Sequence, residues 1–423
     1  MAQPSADRLA LLYRVSQAFN SSLDLDEVLR RVMDEVIAAT RAERGFLMLP
    51  DAEGRLAFRA ARGMDQQTIE SPEFQISRGV VERVAREGQP CLTSDARDDA
   101  WLSTRRSVMA LGLRSILCVP LQLKGAILGV IYVDNRLQAG LFMPDDLELL
   151  GAIASSAAIA IENARLYQVA VEKGRMEREL QVAREVQASL IPRQTPRVEG
   201  WEFAAFWQPA RQVAGDFYDF IPITLAKVSE PSLGLGIVIA DVSDKGMPAA
   251  LFMALSRSIV RASVAHTSVP AEEVTHANRL ICADATNGMF ITMFYAQLDP
   301  TTGEAVYVNA GHNPPLLYRA GLDELTGLAR TGMALGIDQS VRYDQQSVRL
   351  NAGDFVLLYT DGVTDALDAQ GGEFGQERLR QVILDHRRAS AADLMTALNQ
   401  AVSSFSGATA PFDDITVVVA KRL

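Results

Sequence analysis

The 423-residue sequence predicts an α+β protein of two domains joined by a helical coiled-coil linker. Three observations carry that expectation. Helical and strand patterns alternate through residues 1–163. Residues 164–192 form one charged helical stretch, ended by Pro192 and Pro196. From residue 193 to 423 short apolar strands are interrupted by helices, which suggests a β-sandwich flanked by helices.

The elements follow in order. In SLDLDEVLRRVMDEVIAAT, Leu25, Val28, Leu29, Val32, Val36 and Ile37 recur at helical spacing. Asp24 with Glu27 three residues on has the form of a capping box. GFLMLP and RLAFRAARG read as a hairpin around Asp51–Gly54. GVVERVAREGQP is a short helix stopped by Gly88 and Pro90. Residues 115–135 read as two strands joined near Lys124 and Gly125, and a long helix starts near Pro144. Within 164–190, Met176, Leu180, Ala183 and Leu190 mark a coiled-coil seam among mixed charges, which predicts a homodimer through this segment. In the last region, helices are expected over 248–265 and 272–285, and at ADLMTALNQAVSSF. TLAKVSEPSLG, residues 224–234, reads as a polar hairpin loop.

A net charge of −11 argues against a broad nucleic-acid surface. Cys91, Cys118 and Cys282 are scattered without CxxC spacing, which fits a reducing cytoplasm and no zinc site. The N-terminus lacks the basic region and continuous apolar run of a secretory signal. No stretch reads as the ~18 apolar residues needed to span a bilayer, so a cytoplasmic location is expected.

Four acidic signatures carry the chemistry: VAGDFYDF (213–220), IADVSDKG (239–246), YTDGVTDA (359–366) and FDDIT (412–416). In three of them the acid lies at the edge of an apolar strand. A buried, unpaired carboxylate is costly, and hard oxygen ligands suit Mg²⁺ or Mn²⁺, so a two-metal site is expected. Taken singly, each acid has a plainer explanation. Asp361-Gly362 is a common turn pair, Asp241 could cap a helix, and Asp413-Asp414 could be a polar loop. Asp219 reads as a surface acid or one behind the metal ligands. Lys245 reads as pairing with Asp244, and His312, in AGHNPP, as stabilising a turn rather than acting as a general acid.

Two resemblances follow from these stretches. Residues 1–163, through CVPL (118–121), GVIYVDN (129–135) and the helix 142–167, resemble a GAF domain. That resemblance implies an antiparallel sheet flanked by helices and a sensory role, with the ligand unknown. The cyclic-nucleotide pattern is matched loosely by Asn135-Arg136, Phe142 and Asp146, with Leu147 replacing an acid. Bilin attachment through Cys91 or Cys118 is disfavoured, since Cys118 lies within a strand. Residues 175–423 resemble the SpoIIE-like branch of the PPM metal-dependent protein phosphatases, on the four signatures with MFITMFYAQLD, NAGHNPPLLY and TGMALGI.

The second resemblance implies two divalent ions, Mn²⁺ or Mg²⁺, held by Asp216, Asp241, the Val242 carbonyl, Asp361 and Asp413. Asp414 is a further candidate ligand that aligns one place off and fits better behind the ligands, so the choice between Asp413 and Asp414 stays open here. It further implies hydrolysis of phosphoserine or phosphothreonine on a STAS-type anti-anti-sigma protein. A non-catalytic scaffold that binds a phosphoprotein, and a hydrolase of small phosphoesters, remain open at this point.

Overall fold

The computed structural model describes residues 4–19, 21–65, 67–69, 76–97, 111–225, 232–264, 269–285, 288–407, 409 and 411–423. It divides into two compact units, Met1–Met176 and Glu177–Leu423.

In the first unit, helix α1 (Pro4–Phe19) precedes α2 (Leu25–Thr40). The sequence reading had not singled out α1. The Asp24 carboxylate accepts the Glu27 amide at 2.8 Å, which caps α2, and Ser22 donates to the Glu27 carboxylate at 2.6 Å. The apolar stripe of α2 is buried as its spacing predicts. Strands β1 (Arg44–Pro50) and β2 (Leu56–Gly63) form the expected hairpin, with Asp51 accepting the Arg55 amide at 2.8 Å. Helix α3 (Arg78–Glu87) ends at Gly88, whose φ of 67° suits glycine. Strands β3 (Cys91–Thr93), β4 (Ser115–Leu123) and β5 (Ala126–Asn135) complete an antiparallel sheet of order β2-β1-β5-β4-β3. Arg44 and Asp134 face each other across β1 and β5, both buried, with guanidinium–carboxylate bonds of 2.9 and 2.8 Å. Burial outweighs this pairing and pushes the Asp134 carboxyl up to about 6.

Helix α4 runs unbroken from Pro144 to Leu190. Its Leu150, Ile153, Ala154, Ala157, Ala158 and Ile161 pack with the buried stripe of α2. By length and composition one 18-residue window of α4 is apolar enough to cross a membrane, which corrects the sequence reading; 44% of that window is buried in the protein.

The residues of the loose cyclic-nucleotide pattern are engaged locally. The Asn135 side chain accepts the Leu137 and Gln138 amides at 2.8 and 2.7 Å. Arg136 pairs with Glu43, Phe142 is in the core, and Asp146 accepts the Met143 amide at 2.8 Å.

The second unit opens with β6 (Trp201–Gln208), β7 (Phe217–Leu225) and β8 (Ser232–Val242), then α5 (Met247–Ser263) and α6 (Pro270–Asp284). Residues 226–231, within the expected 224–234 loop, lie outside the described residues, as does residue 265 at the end of the expected 248–265 helix. There follow β9 (Ile291–Leu298), β10 (Glu304–Ala310), β11 (Leu316–Arg319), β12 (Glu324–Gly327), β13 (Gln346–Arg349) and β14 (Phe355–Tyr359). A 3-10 turn at Asp361–Val363, α7 (Gly375–Asp385), α8 (Ala391–Ser406) and β15 (Ile415–Arg422) complete it.

The strands form two five-stranded sheets, β13-β10-β9-β8-β7 and β12-β11-β14-β15-β6. One core holds Ile237, Phe294 and Val308 from the first together with Leu358 and Val418 from the second. Helices α5 and α6 supply Phe252, Met253, Val274 and Ile281 to that core, whereas α7 and α8 pack Leu379, Ile383, Leu394 and Leu398 against the second sheet. This is the helix-flanked sandwich the sequence predicts.

One buried acid lies inside this packing. Glu273 on α6 is 1% exposed, accepts a hydrogen bond from Gln297 on β9 at 2.8 Å, and is pushed by burial up to about 7. The folded state therefore holds a proton that the unfolded chain releases near 4.5, so its contribution to stability is lost as pH rises from about 4.5 to about 7. Glu273→Gln should stabilise the protein by about 1–3 kcal/mol at pH 8 and by almost nothing at pH 4.5. Urea unfolding at the two pH values checks this; an equal effect at both would contradict it.

Candidate active site

The four acidic signatures converge where the two sheets of the second unit meet. Asp216 ends the loop after β6 and is 2% exposed. Its Oδ2 accepts hydrogen bonds from Thr360 at 2.7 Å and Thr416 at 2.8 Å, at the ends of β14 and β15. The Trp207 indole donates to its carbonyl at 3.0 Å. Asp241, near the end of β8, faces Thr292 of β9. Asp361 opens the 3-10 turn after β14, and Asp413 and Asp414 immediately precede β15.

The acids raise one another. The Asp216 carboxyl is held well above the usual range by burial and then by the charges of Asp241 and Asp414. Asp241 is pushed up to about 7 by burial, then by Asp361, Asp413 and Asp414. Asp361 rises to about 6 through burial, Asp413 and Asp365, while Lys245 opposes the shift. A basin so charged calls for cations.

The donor set fits divalent metal ions. Among the described residues no three acid, imidazole or thiol groups are drawn into one tight cluster. Mg²⁺ and ions like it keep several waters and take only one or two carboxylates each, so an open basin of paired acids suits two such ions. Asp216, Asp241, Asp361 and Asp413 lie close enough to act on one another's ionisation, and the Val242 carbonyl beside Asp241 faces Gly215.

Asp414 has a different task. Its two carboxylate oxygens accept the Ala210 and Gly215 amides, each at 2.7 Å. It thus fixes the loop that delivers Asp216. Two glycines permit the close approaches. A Cβ at Gly215 would stand 3.3 Å from the Val242 carbonyl oxygen, and one at Gly362 only 1.9 Å from that of Asp414. Gly362 is therefore required by packing.

Two expectations change, the pairing of Lys245 and a surface position for Asp219. The Lys245 ammonium pairs with Asp413 at 2.8 Å, bonds the Phe412 carbonyl at 3.1 Å and lies 4.0 Å over the Phe412 ring. Only its backbone amide meets Asp244, whose φ of 86° turns the chain so that the two side chains part. Asp219 is not a surface acid: it is 1% exposed and pairs with Arg257 at 2.8 Å and Arg261 at 2.7 Å, both on α5. His312 is buried, meets the Thr292 hydroxyl through Nδ1 at 2.8 Å, and is driven by burial down to about 3. A neutral imidazole locked this way stabilises the loop and has no proton to give as a general acid.

The sequence reading missed Thr360 and Thr416, although Thr360 adjoins Asp361 and Thr416 follows Asp414 by two residues. It also missed Gln187. This side chain near the end of α4 is 4% exposed and grips the backbone of Ala214 twice, donating to its carbonyl at 2.7 Å and accepting its amide at 2.9 Å. The long helix is thereby bonded two residues from Asp216.

A sandwich with this acidic basin defines the class, a phosphatase of the PP2C type, and comparison with known proteins places the chain within it. Residues 231–423 match the stage II sporulation protein E (SpoIIE) family, and residues 22–162 match the GAF domain. The chain is 30% identical over 245 residues to the phosphoserine phosphatase RsbU of Bacillus subtilis (strain 168), covering 58% of this chain and 70% of that protein. It is 30% identical over 275 residues to protein IcfG of Synechocystis sp., covering 58% of this chain but only 41% of that longer protein. The PP2C domain of SiaA from Pseudomonas aeruginosa superposes with a TM-score of 0.51 at 21% identity, over 60% of this chain and 99% of that one. The chain belongs to the SpoIIE-type serine/threonine phosphatases, with a GAF domain ahead of the catalytic domain.

In metal-free protein the acids repel one another. Asp241→Asn should therefore raise the thermal midpoint in EDTA by a few degrees, about 1 kcal/mol, while abolishing turnover with Mn²⁺. Melting curves in EDTA beside a phosphatase assay check both effects. A lower midpoint would mean that attractive contacts hold this carboxylate.

Proposed function

We propose that this chain is a metal-dependent phosphoprotein phosphatase, regulated through its GAF domain, whose substrate is a phosphoserine or phosphothreonine on a STAS-type anti-anti-sigma protein. The domains are assigned as GAF sensor, 1–163; coiled-coil linker, 164–192; and phosphatase, 193–423. The cytoplasm is the proposed compartment. The observation that carries the reading is the basin of mutually repelling carboxylates at the junction of two sheets. The likeness to RsbU supports the choice of a phosphoserine substrate.

Two Mn²⁺ or Mg²⁺ ions would supply an acidified water and compensate charge on the phosphoryl oxygens. The protein's own groups set the geometry. Thr360 and Thr416 fix one oxygen of Asp216, and Asp414 holds the loop behind it. Asp241, Asp361 and Asp413 are partly exposed, so the basin is within reach of a phosphorylated side chain. Lys245, beside Asp413 and Asp361, brings positive charge to the rim where an anionic substrate arrives.

Regulation would act through α4. Its Gln187 holds Ala214, so a change in the helix's register would disturb Asp216 and with it metal affinity. Ile159, Leu166, Val169 and Met176 are exposed at spacings of seven, three and seven, which supports a homodimeric coiled coil.

The decisive assay follows hydrolysis of an aryl phosphate and of a phosphoserine STAS protein, with Mn²⁺ or EDTA. Metal-dependent turnover that prefers the protein, and falls at least about 100-fold in Asp361→Asn, is expected. Equal or better turnover of the aryl phosphate would remove the phosphoprotein assignment. Separately, the Val169→Glu, Met176→Glu double variant should sediment as a monomer where the unmodified chain is a dimer. A dimer unaffected by both charges would move the interface elsewhere.

A further inference from the structure

The sequence scatters the three cysteines, but the fold brings two of them together. β3 pairs with β4 so that Cys91 stands directly opposite Cys118. Directly opposed residues of an antiparallel pair have Cα atoms about 4.5–5.5 Å apart, within the span of about 4.4–6.8 Å that a disulfide bridges. Both side chains belong to one face of the sheet: Cys118 is part of the cluster formed with Val80, Val81, Val84 and Tyr132, and Cys91 packs against that cluster. The thiols sense each other, since the Cys118 thiol is held well above its usual value by burial and then by Cys91.

The two sulfurs differ in access. Cys91 is partly exposed, whereas Cys118 is 0% exposed. Among the described residues β3 is an edge strand of three residues paired with β4 alone, so it can adjust without disturbing the rest of the sheet. The third cysteine, Cys282, lies on α6 of the other unit, where its thiol meets the Asn278 side chain at 3.5 Å.

We propose that Cys91 and Cys118 form a reversible cross-strand disulfide, a two-electron redox site in the GAF domain that a hydroperoxide closes. Cys91, the reachable thiol, attacks the peroxide oxygen as its thiolate. The O–O bond breaks, one water leaves, and Cys91 becomes a sulfenic acid. The Cys118 sulfur then attacks the Cys91 sulfur and gives up its proton, and the sulfenic oxygen departs as a second water. Two thiols and one hydrogen peroxide thus give one disulfide and two waters, with two electrons passing from sulfur to oxygen. A dithiol reverses the step. Closure ties the short strand after α3 covalently to β4, which makes the domain's edge responsive to oxidant. This site is independent of the phosphatase reading, so neither stands or falls with the other.

The test uses the full chain, treated with hydrogen peroxide, quenched with catalase, then unfolded and alkylated. One alkylated thiol, Cys282, is expected out of three. Peptide mapping should recover a Cys91–Cys118 linked pair lighter by two hydrogens, within one chain, and dithiothreitol should restore three thiols. In Cys118→Ser the sulfenic acid should persist on Cys91 and react with dimedone. In Cys91→Ser, Cys118 should stay alkylatable at peroxide levels that close the pair in the unmodified chain. Three alkylatable thiols after peroxide, a link between two chains, or Cys91 oxidised to sulfinic acid with Cys118 still reduced would each overturn the proposal.

Discussion

Asp216 arrives from the first sheet of the phosphatase sandwich, and the two hydroxyls that hold its buried carboxylate arrive from the second. A carboxylate this deep is strongly disfavoured as an ion unless it is bonded or faces a cation. The Thr360 and Thr416 hydroxyls satisfy one oxygen. The same two residues also tie β14 to β15, since the Thr360 amide reaches the Thr416 carbonyl at 3.0 Å and the Thr416 amide reaches the Thr360 hydroxyl at 3.0 Å. One small polar node therefore sets both the alignment of the sheets and the position of the central acid. The rest of the basin inherits its geometry from that node.

The surrounding acids are spaced by backbone rather than by side-chain pairing. Asp414 uses both oxygens to hold the loop that carries Asp216, and Gly215 and Gly362 let main-chain carbonyls approach where any side chain would intrude. Asp219 is spent on Arg257 and Arg261, which binds β7 to α5. Two aspartates within four residues of Asp216 in space or sequence thus serve as scaffolding, so the remaining acids meet around a basin whose charge is largely uncompensated. Lys245 is the ammonium that meets it at Asp413.

Much of this was legible in the sequence, for identifiable reasons. The α2 helix announced itself through its spacing and the Asp24 cap, and the strands through apolar runs closed by turns such as Lys124-Gly125. The acidic signatures were legible because four of them occur together, although each acid taken singly has an ordinary structural explanation. What escaped depends on contacts between distant segments. Thr360 and Thr416 look like ordinary strand threonines until β14 and β15 are paired. Lys245 has an acid beside it in sequence and bonds another 168 positions away because Asp244 turns the chain. The Cys91–Cys118 opposition follows from the register of β3 on β4, which no local spacing encodes. The surface alternative for Asp219 fails because an acid next to aromatic residues gives no hint of two arginines on a later helix.

Gln187 gives the linker a direct mechanical claim on the site. Its amide fills both hydrogen-bonding positions of Ala214, and Gly215 beside it is held by Asp414, so the peptide run ahead of Asp216 is gripped from two sides. If the register of α4 alters that grip, the cost appears as a change in metal affinity. By linkage the converse must hold to the same extent: ions bound at Asp216 would favour the helix register that keeps Gln187 in place. A coupling of about 1–3 kcal/mol, a common range between linked sites, corresponds to about 5- to 150-fold in affinity. Two backbone hydrogen bonds to a buried amide are of the right size to carry it, since each is worth about 1 kcal/mol and leaving its partner buried and unmet costs more. On the proposed regulation the helix would need no contact with the acids themselves; it would need only to hold, or release, the short loop on which Asp216 is carried.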